Sequence, residues 1–477
     1  MEGDIPVRNP RTGDADYAIS RASAKAIASR AAELRTAQPD WVGIGREGRA
    51  ATLTELKSAI AGHRDDLIDA LAADTGRLRI SVQEVDGLGP SIDRLITMAE
   101  RLDKPEAGRS QAMPQITFET RRVPYSVVGV ISPWNFPLTL SLIDTLPALM
   151  AGAAVAIKPS EITPRFAAPL RAVFAEIPEV AAVTAIFDGD GATGAALVDH
   201  VDAICFTGSV ATGRKVAEAA ARNFIPAFLE LGGNDPAIVL EDADLDRAVT
   251  ALLRGSVLNT GQACQSIERI YVARPLYDRF VDKLTAAASD VSTNAQDIHQ
   301  GQLGPIIFAD QAAIVQRQLD DARAKGATIL TGGEIETHGG NWLRPTVVTD
   351  VTDDMALMTE ETFGPVLPVI PFDSEDEAIA AANNTEYGLS AAVFSEDLDH
   401  AKRVAEQIDA GGISINDAAL TGLMHEAEKN SFKLSGMGGS RMGPAGYLRF
   451  FRKKALITNT GPTFPIQAFD ESGADYP

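Results

Sequence analysis

Val127-Val128-Gly129-Val130-Ile131 runs straight into Ser132-Pro133-Trp134-Asn135-Phe136-Pro137. Five apolar residues with no polar alternation, stopped by a proline-punctuated turn, read as a strand buried on both faces. The same pattern recurs at Ala154 to Ile157, Val183 to Phe187, Ala203 to Phe206 and Ile225 to Leu229, with helix-sized segments between. Such alternation predicts an α/β, doubly wound parallel sheet covered by helices, with ligands at the carboxyl ends of its strands. Pro133 to Pro137, Lys158-Pro159-Ser160-Glu161 and Thr207-Gly208-Ser209 all directly follow such runs.

Outward from this sheet, Ala18 to Ala37 and Gly48 to Thr75 have helical spacing of apolar residues and read as surface helices. Gln115 to Arg121 alternates, as an exposed strand or arm would. A second set of strands is expected at Arg269 to Ala273, Thr346 to Val348, Ala391 to Phe394 and Gly412 to Ile415, forming a second α/β unit. Phe432 to Arg441 is Gly/Ser-rich, and Phe450 to Lys454 is a basic aromatic patch leading into a tail. A chain of 477 residues suggests about two or three domains.

Composition sets bounds on partners. A formal net charge of −22 disfavours nucleic acid and anionic membranes, which reward clustered Lys and Arg. The two cysteines, Cys205 and Cys264, build no disulfide framework and lack neighbours at metal-ligand spacing, so a reducing, cytoplasmic setting without metal is expected. Met1 to Pro6 lacks the basic and apolar segments of a signal peptide, and no apolar run of about 18 residues predicts a membrane span.

The chemistry concentrates between Leu229 and Arg269. Glu230 precedes Leu231, Gly232 and Gly233; Cys264 closes Asn259-Thr260-Gly261-Gln262-Ala263-Cys264. A carboxylate and a thiol are a general base and a nucleophile in prospect. An isolated cysteine is more often a buried hydrophobe, and a Glu ending an apolar run can simply terminate a strand. Taken together with Pro133 to Pro137, Lys158 to Glu161, Phe206-Thr207-Gly208-Ser209 and Glu360-Glu361-Thr362-Phe363-Gly364-Pro365, the two segments resemble the signatures of the NAD(P)-dependent aldehyde dehydrogenase superfamily. Six motifs in the family order span nearly the whole chain.

The resemblance implies an NAD-binding domain from 1–107 and 126–232, a catalytic domain from 233–445, and an oligomerisation arm and tail from 108–125 and 446–477. It implies a homodimer or a dimer of dimers. Cys264 would attack an aldehyde, with the Asn135 amide and the Cys264 N–H as oxyanion hole; Glu230 would then activate water to release a carboxylic acid. Lys158 and Glu161 would hold the adenine ribose, while Glu361 and Phe363 would take the nicotinamide side. Ile131, Ser132, Pro133, Trp134, Ser160 and Leu231 complete the expected cofactor contacts. Gly189-Asp190-Gly191-Ala192-Thr193-Gly194 spells a dinucleotide fingerprint, but the resemblance puts Gly191 near the adenine and the pyrophosphate near the helix opened by Gly208, Ser209 and Gly213. A carboxylate at Glu161 favours NAD, although Lys158 could tolerate NADP. A CoA-acylating semialdehyde dehydrogenase and a cofactor-independent thioesterase or esterase are the rival readings.

Phe136, Leu138, Leu140, Leu142, Ile143, Gln265 and Ser266 are expected around the substrate tunnel, which suggests an apolar or aromatic aldehyde. The 418–430 loop contributes too, but its Leu423-Met424-His425-Glu426-Ala427-Glu428-Lys429-Asn430 departs from the family's usual Pro-Phe-Gly-Gly run.

Overall fold

In a computed structural model, residues 4–102 and 106–473 are described. The ends of the expected domain ranges at 1–3, 103–105 and 474–477 lie outside them. All five apolar runs of the first sheet form strands: Val127–Ile131, Ala154–Lys158, Thr184–Ile186, Ala203–Thr207 and Ala227–Glu230. They pair in parallel, with Val127–Ile131 central between Ala154–Lys158 and Ala203–Thr207. Every residue of the central strand is buried, as the absence of alternation requires. One edge is completed by Gly436–Met437, which pairs antiparallel with Ala227–Glu230. That short strand comes from the range expected to be catalytic, so the chain returns to its first sheet near its end.

The second sheet has seven strands in the order Thr328–Ile329, Thr346–Thr349, Val366–Phe372, Ile267–Ala273, Asp235–Val239, Ser390–Phe394 and Gly412–Ile415. Besides the two-residue Thr328–Ile329, two longer strands, Asp235–Val239 and Val366–Phe372, were not among those expected from sequence. Both contain proline, which cannot donate to a ladder and normally argues against a central strand. The sheet accommodates Pro236 at a register irregularity between Asp235 and Pro236, where a missing N–H interrupts no regular pairing. The third sheet is antiparallel: Ile116–Pro124 lies between Phe451–Asn459 and Glu106–Arg109.

The first residues of the expected Ala18 to Ala37 helix are instead strand, since Ala15–Ile19 pairs with Ile5–Arg8. Helix begins at Ala24, where the Ser23 side chain accepts the Ala26 N–H. This helix and the next two, Gly45–Gly62 and Arg64–Thr75, bury Ile27, Leu34, Leu53, Leu56, Leu67 and Leu71 in the same core as the first sheet. They are the cover of that sheet rather than surface decoration.

Candidate active site

Cys264 follows a tight 3₁₀ turn, Leu258–Gly261, in which Asn259, Thr260 and Gly261 have φ of 59°, 59° and 70°. Left-handed backbone at a β-branched threonine costs of order 1–3 kcal/mol and persists only when its surroundings over-determine it. Here they do. Asn259 Nδ2 donates to Asn135 O (3.1 Å) and Gln262 O (2.9 Å); Gln262 Nε2 donates to Asn259 O (3.0 Å) and Pro305 O (3.2 Å); Thr260 Oγ1 donates to Gly304 O (3.0 Å). Gly261 must be glycine, because a Cβ would lie 2.2 Å from Gly364. Two chemically important turns, one before Cys264 and one around Glu361 to Pro365, thereby touch.

Asn135 is buried, and its Nδ2 donates to Gln262 O at 3.0 Å, two residues before Cys264. An amide nitrogen carries two hydrogens, so the second remains for another acceptor. The buried Arg77 donates from Nη2 to Asn135 O at 2.9 Å and lies over the Phe136 ring, fixing the turn from the other side. Sequence reading did not single out Arg77.

Glu230 ends its strand half-buried, and its Oε2 accepts a hydrogen bond from Ser431 Oγ at 2.8 Å. Ser431 was also missed; a serine in a polar loop carries no signal of its own. Cys264 is partly exposed, yet desolvation pushes its thiol up to about 12, with Lys429 acting against the rise and Asp235, Glu361 and Glu230 adding to it. Cys205 is fully buried inside the first sheet, where desolvation above all, then Asp144, raises its thiol far beyond reactivity.

Gly232 and Gly233 have a clear steric reason. A Cβ on Gly232 would sit 2.4 Å from the Glu361 carboxylate, and one on Gly233 would meet Cys264 O at 2.6 Å. Glu361 Oε1 accepts the Gly233 N–H at 3.0 Å, and desolvation pushes its carboxyl up to about 7. The turn beyond it is held by Glu268, buried in the Ile267–Ala273 strand, which accepts the Thr362 and Phe363 N–H groups at 2.8 Å each. That clamp maintains Phe363 at φ 51°. Desolvation, reinforced by Glu361, raises the Glu268 carboxyl well above the usual range. A signal for Glu268 did exist: a charge inside an apolar strand must be partnered.

The other expected positions gather at the carboxyl ends of the first sheet. Ile131 pairs with Lys158, and Ser132 N–H donates to Lys158 O at 3.1 Å. Lys158 is buried, with its Nζ 2.7 Å from Glu161 Oε2. Ser160 Oγ accepts the Ile162 N–H at 3.2 Å, and Trp134 O accepts from Thr163 Oγ1 at 3.2 Å. Pro133 is half-buried beside Trp134, whose ring meets Phe363 edge-on at 5.3 Å. Ser209 caps the Val210–Arg222 helix, accepting from Thr212 N, and Gly213 packs under Leu231, where a Cβ would lie 2.6 Å from its side chain. Gly208 leaves room for the Phe206 ring in the same way. Gly191 opens the Gly191–Val198 helix, and a Cβ there would meet nothing within 4 Å. Not every expected lining residue reaches open space. Leu138, Leu142 and Ser266 are buried in the core, whereas Phe136, Leu140, Ile143 and Gln265 are partly exposed.

The chain matches the profile of the Aldehyde dehydrogenase family over residues 1–456. It belongs to the aldehyde dehydrogenase family. It is 36% identical to the 3,6-anhydro-alpha-L-galactose dehydrogenase of Streptomyces coelicolor, over 95% of this chain and 93% of the relative. Among solved structures it is similar to the "Putative Aldehyde Dehydrogenase PutA" from Anabaena variabilis, at 52% identity and TM-score 0.95, covering 97% of this chain and 99% of that one. It is also similar to the NAD+ complex of an aldehyde dehydrogenase from Bacillus cereus, at 31% identity and TM-score 0.91, covering 96% and 94%. Aldehyde oxidation with NAD(P) is therefore its reaction class.

Proposed function

We propose that this aldehyde dehydrogenase is hydrolytic and prefers NAD, converting an apolar or aromatic aldehyde to its carboxylic acid. The observation that carries the reading is the bond of Asn135 to the strained turn before Cys264, with Glu361 behind Gly232 and Gly233, and Glu230 close enough to act on the Cys264 thiol. Cys264 attacks the carbonyl carbon, and the developing oxyanion is taken by the free Asn135 Nδ2 hydrogen and the Cys264 N–H. One such preorganised donor is worth about 2.7–4 kcal/mol. Held by Lys158, Glu161, Glu361 and Phe363, bound NAD would supply the hydride acceptor needed to take the Cys264 adduct to a thioester. Glu230 then removes a proton from water as that water attacks the thioester, and the Cys264 thiolate leaves.

The residues at the carboxyl ends of the first sheet fit the cofactor. The Lys158–Glu161 pair offers a cation and an acceptor to ribose hydroxyls, the open space above Gly191 leaves room for an adenine, and the Ser209-capped helix directs N–H groups outward. Glu361 and Phe363 are suited to the nicotinamide ribose and ring. This division supports reading 1–107 and 126–232 as NAD-binding and 233–445 as catalytic, with 108–125 and 446–477 as the arm of a homo-oligomer. Unbridged Cys205 and Cys264 suit a cytoplasmic setting, and among the described residues no helix is long and apolar enough to cross a membrane.

The test is Glu230→Gln with NAD and a panel of aldehydes. General-base assistance is worth about 10²–10⁴-fold, so deacylation should slow by that order while acylation persists. The expected record is a burst of NADH near one per site, then a crawl, with an acyl adduct on Cys264 in the mass spectrum. Loss of the burst itself would assign Glu230 to the thiol instead of to water. Acceleration of the wild-type enzyme by CoA would favour the acylating rival.

A further inference from the structure

Two turns of the site meet at one main-chain carbonyl. Asn135 O accepts from Arg77 Nη2 at 2.9 Å and from Asn259 Nδ2 at 3.1 Å, which joins the turn before Pro137 to the turn before Cys264. Arg77 stands behind this junction. Its guanidinium also lies 5.6 Å from the Phe136 ring centroid, so it grips the turn at two successive residues. The side chain is buried, and neither Nε nor Nη1 has a hydrogen-bond partner. Among the described residues, Asn135 O is the one acceptor that this guanidinium serves.

The backbone that carries Arg77 is itself fixed. Gly76, at φ 68°, ends the Arg64–Thr75 helix, and Arg77 precedes the Leu78–Asp86 helix. Asn294 Nδ2 donates to Gly76 O at 2.7 Å. A Cβ on Gly76 would lie 2.4 Å from Pro305 Cγ, and one on Gly304 would lie 2.5 Å from Arg77 Cγ. Gly304 and Pro305 are the residues whose carbonyls hold Thr260 and Gln262 in the turn before Cys264. Arg77 therefore reaches Asn135 from a base that it shares with the nucleophile's own turn.

We infer that Arg77 is a positioning residue for the oxyanion hole: it holds the Asn135 main chain so that the remaining Nδ2 hydrogen stays aimed at the oxygen of the aldehyde adduct. The inference rests on reading Asn135 as an oxyanion donor. Burial draws the guanidinium down to about 10, with Glu84 acting against the fall, so it is charged at neutral pH. Glu84 is itself committed, since its Oε2 accepts the Thr139 N–H at 2.9 Å. Keeping an interior cation for a single hydrogen bond is costly. Its return lies in where that bond falls, on the residue that must not move when charge develops. The oxyanion exists only after attack, so the contribution belongs to the chemical step and not to the binding of aldehyde or NAD.

The experiment is a double-mutant cycle on the full chain with NAD and an aldehyde that the wild type oxidises, read as the rate of the first NADH turnover. The variants are Arg77→Met, Asn135→Ala and the two combined. A misplacement of about 1 Å can cost on the order of a hundredfold, so Arg77→Met should slow the first turnover by about tenfold to a hundredfold, with the KM for aldehyde and for NAD unchanged. In the Asn135→Ala background the same change should cost no further rate, because the side chain being aimed has gone; a merely structural role would slow both backgrounds alike. Arg77→Lys keeps the charge and one donor and should recover part of the rate. Thermal unfolding identifies any variant that fails to fold, and if Arg77→Met does so the cycle is run with Arg77→Lys. A wild-type rate in the folded Arg77 variant overturns the inference, as does equal slowing in both backgrounds or a loss confined to KM. Asn135→Ala at the wild-type rate would instead refute Asn135 as the oxyanion donor, whereas a slow Asn135→Ala beside a fast Arg77→Met refutes only the role of Arg77.

Discussion

A carboxylate's role depends on what surrounds it, and three glutamates near the site illustrate this. Glu230 is half-exposed and bonded to one hydroxyl, Glu361 is desolvated against two glycines, and Glu161 is tied to a buried lysine. Glu161 has the clearest consequence for selectivity. Its charge at a ribose 2′ position would repel a 2′-phosphate, with Lys158 only partly offsetting it because the pair is already formed at 2.7 Å. Wild type should therefore show a higher kcat/KM with NAD than with NADP, and Glu161→Gln should narrow the gap. Initial rates with both cofactors decide it; a wild-type preference for NADP overturns the assignment. The motif residues were legible in the sequence because each belongs to a short, distinctive string. Ser431 and Arg77 were not, since they reach the site from distant segments whose approach is set by the fold.

At the scale of elements, what holds the site is mostly loops clamped by buried side chains. Glu268 reaches from an interior strand to two successive backbone donors and keeps Phe363 in a left-handed conformation. Glu268→Gln replaces one acceptor oxygen by an amide NH2, leaving one backbone N–H facing another donor. The cost of such an unsatisfied buried group is about 1–3 kcal/mol. Urea unfolding should show a loss of that order, and NAD titration should show weaker binding because Glu361 and Phe363 loosen together. If stability falls while NAD affinity is unchanged, the turn does not serve the cofactor. The sequence revealed strands where apolar runs were uninterrupted, as in Val127–Ile131, and concealed them where proline intervened. Pro236 escapes its usual penalty through a register irregularity, and Pro368 and Pro371 sit inside Val366–Phe372. Neither accommodation can be read from local composition, because it depends on which neighbour the strand acquires.

For the whole molecule, the antiparallel arm is the part least able to stand alone. Ile116–Pro124 and Phe451–Asn459 pair along nine residues, yet Phe118, Leu456 and Ile457 remain exposed. Exposed strand edges with apolar side chains are normally covered by another chain. Light scattering at micromolar concentration should give a dimer or a dimer of dimers; a monomer would contradict the arm's proposed role. The return of Gly436–Met437 to the first sheet has a different consequence, one of timing. During synthesis the Ala227–Glu230 strand emerges about two hundred residues before its outer neighbour, or roughly 10–40 s at typical elongation rates. For that interval the nascent chain presents a naked hydrogen-bonding edge ending in Glu230. A chain stalled before Met437 would be an aggregation hazard as well as inactive, and holdase chaperones would find their binding surface there.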